Sequence, residues 1–230
     1  MHFFRLFLDF FFPPDCVVCG EEGNILCASC VQKIDGQHFY AFSSESLENI
    51  FVLGEYEDPV LEKAIHALKY HFSEDMGIHL LPFLRAQLSR VSLPSSAILV
   101  PIPLHFFRLH ERGFNQSEIL ANIFSKILFP DHHKKVQNLL KRVRNTPHQA
   151  HLSPQERMKN MEKAFALKKN TLPKDTPLVL VDDVASTLAT LHEAAEVLKE
   201  NGFLNISAIV LARSQQSRDK KTLAEQEKKQ

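Results

Sequence analysis

The chain has 230 residues, of which 44% are hydrophobic and 23% are charged, so it is long enough for one ordinary domain with a small additional module. This composition excludes a largely disordered or fibrous protein. Lys plus Arg and Asp plus Glu both number 27, but residues 105–163 hold 11 basic and 5 acidic residues, so an anionic ligand is expected in the middle of the chain.

A Phe-rich segment, residues 3–12, opens the chain. It contains Arg5 and Asp9, ends at Pro13-Pro14 and lacks a small-residue cleavage site, which argues against a signal peptide. It is also far shorter than the roughly 20 residues that a membrane-spanning helix needs. We therefore predict a soluble cytoplasmic protein without stable membrane insertion, whose N-terminal cluster packs on the body. A peripheral membrane contact is the alternative.

All four cysteines lie in two CxxC pairs, Cys16 with Cys19 and Cys27 with Cys30. Two such pairs have the spacing of a tetrahedral zinc site, since each turn presents two sulfurs to one ion. Two disulfides and a redox dithiol are the alternatives. The lack of a secretory signal disfavours the first, and a single CxxC would suffice for the second. The pattern predicts a structural Zn²⁺ with no open position for a substrate.

The rest of the chain alternates predicted strands with predicted helices. Apolar residues at helical spacing predict helices over 59–70, over 75–89 with an interruption at Pro82, over 114–128 and over 191–198. Short apolar runs predict strands over 51–56, 97–100, 136–140, 164–167, 178–181 and 206–211. This alternation predicts an α/β fold in which helices cover both faces of a parallel sheet and ligands bind at the carboxyl ends of its strands.

The segment that follows the strand over 178–181 carries the most chemistry. Asp182 and Asp183 come first, and Ser186, Thr187 and Thr190 lead into the next helix. Paired carboxylates accept hydrogen bonds from vicinal hydroxyls or hold a divalent cation through water, while hydroxyls and free N–H groups at a helix start favour a phosphate. A sugar phosphate satisfies both halves. Acids that solvate a strand end and hydroxyls that cap a helix are the alternative.

This segment resembles the phosphoribosyl-pyrophosphate (PRPP) loop of type I phosphoribosyltransferases, and other segments resemble one branch of them, the ComF family. The other matching segments are the CxxC pairs, residues 65–70, residues 100–104, Arg112-Gly113-Phe114-Asn115-Gln116, residues 144–149, Leu152-Ser153, residues 157–160 and Ala164-Phe165. They occur in the family's order over residues 13–213. The resemblance implies a zinc-knuckle module over 1–45, a type I phosphoribosyltransferase fold over 46–213 and, with almost no apolar residue beyond Ser214, a disordered tail over 214–230.

The resemblance also implies a site. Asp182 and Asp183 would be catalytic and hold the ribose hydroxyls, the 5′-phosphate would bind at residues 186–190, and Mg²⁺ would accompany PRPP. The implied substrate-binding residues are Arg112, Asp182, Asp183, Val184, Ala185, Ser186, Thr187, Leu188, Ala189 and Thr190. Residues 104–112, in a loop stiffened by Pro101 and Pro103, would face the pyrophosphate, and residues 141–160 would form a mobile hood.

The activity that the resemblance implies is transfer of phosphoribosyl from PRPP to an unknown acceptor, with release of pyrophosphate. The family's link to competence and DNA uptake implies single-stranded DNA and a helicase-like protein as partners. Two residues depart from the family pattern: Leu188 stands where a glycine is expected, and Ser186 replaces the first Thr of the loop but keeps its hydroxyl. A branched residue in the left-handed region costs about 1 to 2 kcal/mol. The alternative is therefore a non-catalytic module that binds PRPP, a nucleotide or single-stranded DNA.

Overall fold

The computed structural model describes residues 13–70, 73–132, 135–144 and 163–214. The N-terminal Phe cluster, most of the predicted hood and nearly all of the predicted tail lie outside the described residues. Within the described part of the chain, no helix has the length and apolarity that crossing a bilayer requires.

A five-stranded, mostly parallel sheet organises the body. The strands within the described ranges are β1 (Tyr40–Phe42), β2 (Ile50–Val52), β3 (Ile98–Pro101), β4 (Leu140–Arg142), β5 (Phe165–Leu167), β6 (Leu178–Ala185) and β7 (Ile206–Arg213). The sheet has the order β1-β2-β7-β6-β3, in which β2, β7, β6 and β3 are parallel and β1 is antiparallel to β2. The predicted α/β class with a parallel sheet is confirmed.

The helices of the described residues are α1 (Ala28–Val31), α2 (Pro59–Tyr70), α3 (Ser73–His79), α4 (Leu81–Leu88), α5 (Phe106–Arg112), α6 (Gln116–Leu128) and α7 (Ala189–Glu200). Helices pack on both faces of the sheet. Alternate strand residues point to opposite faces. Leu99 and Val181 accordingly share a core with α2, α4 and α6, whereas Val100 and Leu180 share a core with α7. Pro82 lies in the first turn of α4, so the predicted interruption between α3 and α4 is confirmed.

The strand predicted over 136–140 is wrong, and the strand predicted over 164–167, which forms as β5, does not join the main sheet. β4 begins only at Leu140 and pairs with β5 as a separate antiparallel ribbon. Val136 contacts the main sheet through one isolated bridge to Leu99. The central strands are apolar on both faces, but β4 reads Leu-Lys-Arg and buries only Leu140. A ribbon with a single buried side covers the sheet instead of extending it.

Three described elements were not predicted: the short helix α1 at the second cysteine pair, the edge strand β1 and the helix α5. The expected loop over 104–112 is largely this helix. His105 caps its start by accepting a hydrogen bond from the Phe107 N–H, and Gly113 ends it with a left-handed φ of 79°. As described, α5 buries none of its residues. It therefore lacks the apolar periodicity by which a sequence reveals a helix.

Candidate functional site

A pocket of about 550 Å³ opens at the carboxyl ends of β3 and β6. Its lining includes Asp182 and Asp183 from β6, Arg108 and Arg112 from α5, and Arg142 from β4. β6 continues through Ala185, so the two acids belong to the strand itself and not to the loop after it. The site lies where ligands bind in parallel α/β sheets, and its walls carry opposite charges.

The two neighbouring acids are buried and have different partners. The Lys69 Nζ lies 2.9 Å from the Asp183 Oδ2. The Asp182 Oδ1 accepts hydrogen bonds from the Ser117 Oγ at 2.9 Å and from the Asp183 N–H at 3.0 Å. Adjacent carboxylates that share a buried site do not ionise equally, and these contacts decide which of them carries the charge.

Their pKa values move in opposite directions. Burial, and then the charge of Asp183, raise the pKa of Asp182 to about 8. Burial is the largest influence on Asp183 and would raise its pKa, but the Lys69 ammonium together with hydrogen bonds from the Asp182 side chain and the Val184 N–H holds that pKa below its usual range. Burial and the charge of its neighbour therefore favour the protonated form of Asp182, whereas Asp183, beside the Lys69 ammonium, retains its charge more readily.

Arg108, Arg112 and Arg142 form the basic wall of the pocket, and residues of α2 and α6 hold Arg112 in place. The Arg112 Nη1 donates to the Gln116 Oε1 at 3.1 Å, and its Nη2 donates to the Tyr70 hydroxyl at 3.2 Å. The guanidinium carbon also lies 4.8 Å from the centre of the Tyr70 ring. Burial, and then the proximity of Arg108, lower the pKa of Arg142 to about 10, which leaves it cationic at neutral pH. This wall is suited to a polyanion.

Asn115 connects the basic wall to the sheet. Its Oδ1 accepts a hydrogen bond from the Ser117 N–H at 3.2 Å and caps α6, while its Nδ2 donates to the Ile102 carbonyl at 3.0 Å. Gly113, between α5 and α6, supplies the left-handed turn. The Arg112–Gln116 block thus places Arg112 and Ser117 at the end of β3.

The loop after β6 encloses a smaller pocket of about 40 Å³. Asp182, Val184, Ser186 and Thr190 line both this pocket and the larger one, so the two adjoin. The loop leads directly into α7, whose free N–H groups favour an anion. The combined shape offers a small compartment for one anionic group beside a larger one for the rest of a ligand.

Leu188 adopts the strained conformation that the sequence predicts. Its φ is 58°, in the left-handed region, and it precedes α7 without a side-chain capping hydrogen bond. Its side chain is half-buried and packs on the core beneath α7. The loop therefore keeps the backbone conformation of a glycine at a cost of about 1 to 2 kcal/mol.

The four cysteines converge on one point. Their Sγ atoms all lie within 4.8 Å of one another, and all four are free thiols. The Sγ atoms of Cys19 and Cys27 are 3.7 Å apart. Two sulfurs on a tetrahedral zinc with bonds of about 2.3 Å would be about 3.8 Å apart. Burial and the three neighbouring thiols raise the pKa of Cys30 to about 12, so a cation is needed before all four become thiolates. The cluster fits Zn²⁺.

The segment around the cysteines packs on the body. Ile25, Leu26 and Val31 belong to the same buried cluster as α2. The Lys63 Nζ of α2 donates to the Val18 carbonyl at 3.2 Å. A metal at the cysteines would therefore also support the face of the body on which the segment packs. The domain boundary at residue 45 stays a prediction, and β1 on one side of it pairs with β2 on the other.

Comparison with known proteins assigns the family. No family model matches the chain. It is 30% identical over 213 residues to Competence protein F of Haemophilus influenzae, and the alignment covers 87% of this chain and 85% of that protein. The chain belongs to the ComF family. This ComF-family chain is also 29% identical over 208 residues to DNA utilization protein YhgH of Escherichia coli, with 87% of this chain and 83% of that protein covered. Competence protein ComFC of Bacillus subtilis is 34% identical over 127 residues, covering 55% of this chain and 48% of that protein.

The fold of this ComF-family protein brings its predicted site residues together in two groups. Those that line the larger pocket are Arg112, Asp182, Asp183, Val184, Ser186 and Thr190. Those that line only the smaller one are Ala185, Thr187, Leu188 and Ala189. Sequence reasoning missed Lys69 and Ser117 as partners of the acids. No local signal in the sequence pointed to either contact, because each joins segments that lie far apart in the chain.

Proposed function

We propose that this ComF-family protein binds PRPP together with Mg²⁺ and transfers its phosphoribosyl group to an acceptor, releasing pyrophosphate, in the service of competence and DNA uptake. One observation carries the proposal. A single pocket is lined by Asp182 and Asp183, by Arg108 and Arg112, and by Ser186 and Thr190 of the loop that leads into α7. The lining thus offers acids for the ribose hydroxyls, arginines for the pyrophosphate and loop hydroxyls for the 5′-phosphate.

Each part of the ligand is assigned by its chemistry. The ribose hydroxyls would donate to Asp183, and the 5′-phosphate would accept hydrogen bonds from the loop at residues 186–190. The pyrophosphate would lie against Arg108 and Arg112. The finer assignment to a type I phosphoribosyltransferase is part of this proposal, and it rests on the motif order and on the position of the pocket at the strand ends.

Mg²⁺ would supply partial neutralisation of the pyrophosphate. The described lining of the pocket includes two carboxylates, and Asp183 already pairs with Lys69. An all-protein magnesium cage needs more oxygen ligands than this, so the ion would be bound mainly by the pyrophosphate itself.

The transfer needs positioning and electrostatics from the protein. The bond from C1 of the ribose to the pyrophosphate oxygen breaks, and its electron pair leaves with pyrophosphate. The acceptor donates the pair that forms the new bond to C1. Arg108, Arg112 and Arg142 would stabilise the negative charge that develops on the leaving group, and burial strengthens this effect.

Calorimetry with PRPP and Mg²⁺ tests the proposal and gives a prediction for Leu188. The wild type should bind with saturable heat, and Leu188→Gly should bind about tenfold more tightly, because glycine lets the loop backbone adjust and approach the phosphate. Leu188→Ala is the matched control, since it removes the branched bulk but retains an L-residue at a positive φ. Heat in Leu188→Gly alone would show that leucine has degraded the phosphate site, and no heat in any of the three would refute PRPP binding.

A non-catalytic PRPP-binding module is the second candidate, and the strained Leu188 favours it. Transfer needs tighter geometry than binding does, so transfer is the first property that a misplaced phosphate would lose. Release of pyrophosphate in the presence of candidate acceptor bases distinguishes the two. If PRPP binds but no acceptor causes release of pyrophosphate, the protein is a non-catalytic PRPP-binding module.

Single-stranded DNA is the partner that we propose for α5, with a helicase-like protein in the same process. Phe106 and Phe107 are 70% and 63% exposed. His110 stacks on Phe106 with ring centres 6.2 Å apart, and His105 lies 5.4 Å from Phe107. Exposed rings beside arginines are typical of surfaces that stack bases and contact phosphates. The names of the relatives, which refer to competence and DNA utilization, support a role with DNA.

Replacing both Phe106 and Phe107 with Ala should weaken binding of an oligo-dT strand at least about tenfold, since stacking contributes about 1 to 3 kcal/mol per base. Fluorescence anisotropy at one fixed salt concentration measures the change. Leu204→Ala is the matched control, because Leu204 is 69% exposed and lies before β7, at the opposite end of the strands. Equal affinity for the double variant and the wild type would rule out α5 as the DNA surface.

A further inference from the structure

We infer that Lys69 is a positioning residue that keeps Asp183 ionised and directed toward the pocket, so that Asp183 accepts a hydrogen bond from a ribose hydroxyl at neutral pH. The inference deepens the proposed function and rests on it for the identity of the ligand. Its geometric basis is the ion pair of 2.9 Å between the Lys69 Nζ and the Asp183 Oδ2. Lys69 is 22% exposed and Asp183 is 7% exposed, so water screens the pair only weakly.

The position of Lys69 in the fold makes it a fixed cation. It lies in the last turn of α2, one residue after Leu68, which is fully buried in the core together with Leu61 and Ile65. The next residue, Tyr70, accepts a hydrogen bond from Arg112. The last turn of α2 thus contacts Asp183 through Lys69 and Arg112 through Tyr70, and it fixes these two pocket residues relative to each other.

The charge balance of the pair explains why a cation is needed. A buried carboxylate without a counter-ion takes up a proton in preference to remaining charged. Ser117 donates to Asp182, whose pKa burial and the charge of Asp183 raise. Lys69 lies 2.9 Å from the other acid, Asp183, and is placed to balance its charge. Among the described residues, the other titratable or charged groups that line the pocket are Tyr56, His66, Tyr70, Arg108, Arg112 and Arg142.

An ionised carboxylate is purely an acceptor, whereas a protonated one carries a competing donor. Ribose hydroxyls are donors that suit the ionised form. Lys69 can hold Asp183 in this form because its ammonium lies 2.9 Å from one carboxylate oxygen, Oδ2. A merely structural lysine would affect the stability of the fold without changing how ligand affinity depends on pH.

Carbon-13 NMR titration of the Asp183 carboxyl group tests the ionisation directly, in the wild type, in Lys69→Met and in Lys69→Arg. The wild-type pKa should lie below the usual value of about 3.9 for Asp. Lys69→Met should raise it to about 7 or above, because burial alone raises the pKa of a carboxyl by up to about 3 to 5 units, and Lys69→Arg should keep it low because the charge is retained. A wild-type pKa at or above the usual value would overturn the inference even if Lys69→Met failed to fold, and so would a Lys69→Met pKa that stays well below neutral.

Calorimetry with PRPP and Mg²⁺ between pH 5 and pH 8 provides the ligand readout. The ratio of Lys69→Met affinity to wild-type affinity should fall about tenfold for each pH unit below the new Asp183 pKa, because one proton must leave before the ligand binds. Lys69→Arg should track the wild type. A ratio that stays constant with pH would overturn the inference. If the wild type binds no PRPP, the proposed function fails, and the NMR titration still decides the ionisation of Asp183.

Discussion

Asp183→Asn is expected to weaken PRPP binding at least about 100-fold, which corresponds to about 2.7 kcal/mol. The change replaces a charged acceptor with an amide, and hydrogen bonds to a charged group contribute about 1.5 to 3 kcal/mol each. The change also removes the carboxylate that lies 2.9 Å from the Lys69 ammonium. The unpaired ammonium would then seek oxygen atoms of the ligand and disturb the geometry of the site. Calorimetry with PRPP and Mg²⁺ measures the loss.

A stability measurement must accompany this experiment, because breaking a buried ion pair from one side destabilises a fold by about 3 to 5 kcal/mol. Thermal unfolding shows whether Asp183→Asn is still folded at the temperature of the titration. Asp175→Asn makes the same chemical change in an exposed loop and should alter neither quantity. If the Asp183→Asn protein is folded and binds PRPP with wild-type affinity, Asp183 has no role in binding the ligand.

Cys27→Ser is expected to lower the zinc content from about one ion per chain to nearly none, and to lower the free energy of unfolding by several kcal/mol. Structural zinc contributes about 10 to 16 kcal/mol of binding free energy to the folding of small domains. The cysteine-containing segment shares its core with α2, and α2 carries Lys69. Loss of zinc should therefore also disturb the position of Lys69 in the pocket. Metal analysis and thermal unfolding measure the two effects.

Ser29→Ala is the matched control for the zinc experiment. The Ser29 Oγ lies 3.1 Å from the Cys27 Sγ, so this variant changes the surroundings of one sulfur and keeps all four thiols. Its zinc content should equal that of the wild type. Two disulfides in protein prepared without oxygen, or a wild-type protein that is fully stable without metal, would refute a structural zinc.

Much of the architecture could be predicted because its signals are local. β6 and β7 are buried on both faces and appear in the sequence as continuous apolar runs. The cysteine cluster follows from the spacing of its two pairs. The left-handed conformation at Leu188 follows from a glycine position in a short loop motif, and its φ of 58° confirms that prediction.

The remaining features depend on contacts between distant segments. The approach of Lys69 to Asp183 depends on how α2 lies across the sheet, which no spacing in the sequence encodes. α5 buries nothing, so neither its helical form nor its role as a pocket wall could be predicted from periodicity. The pairing of β4 with β5 joins two segments that lie far apart in the chain, so no local signal predicts it.

A crystal structure of the wild-type protein with PRPP and Mg²⁺ is the most direct test of the central claim, that the pocket between β3 and β6 binds an activated sugar phosphate. We expect the 5′-phosphate in the loop at residues 186–190, a ribose hydroxyl on Asp183 and the pyrophosphate against Arg112. Crystals saturated with PRPP in which Leu188 and its neighbours leave that loop closed, and no sugar phosphate contacts Asp183, would contradict it.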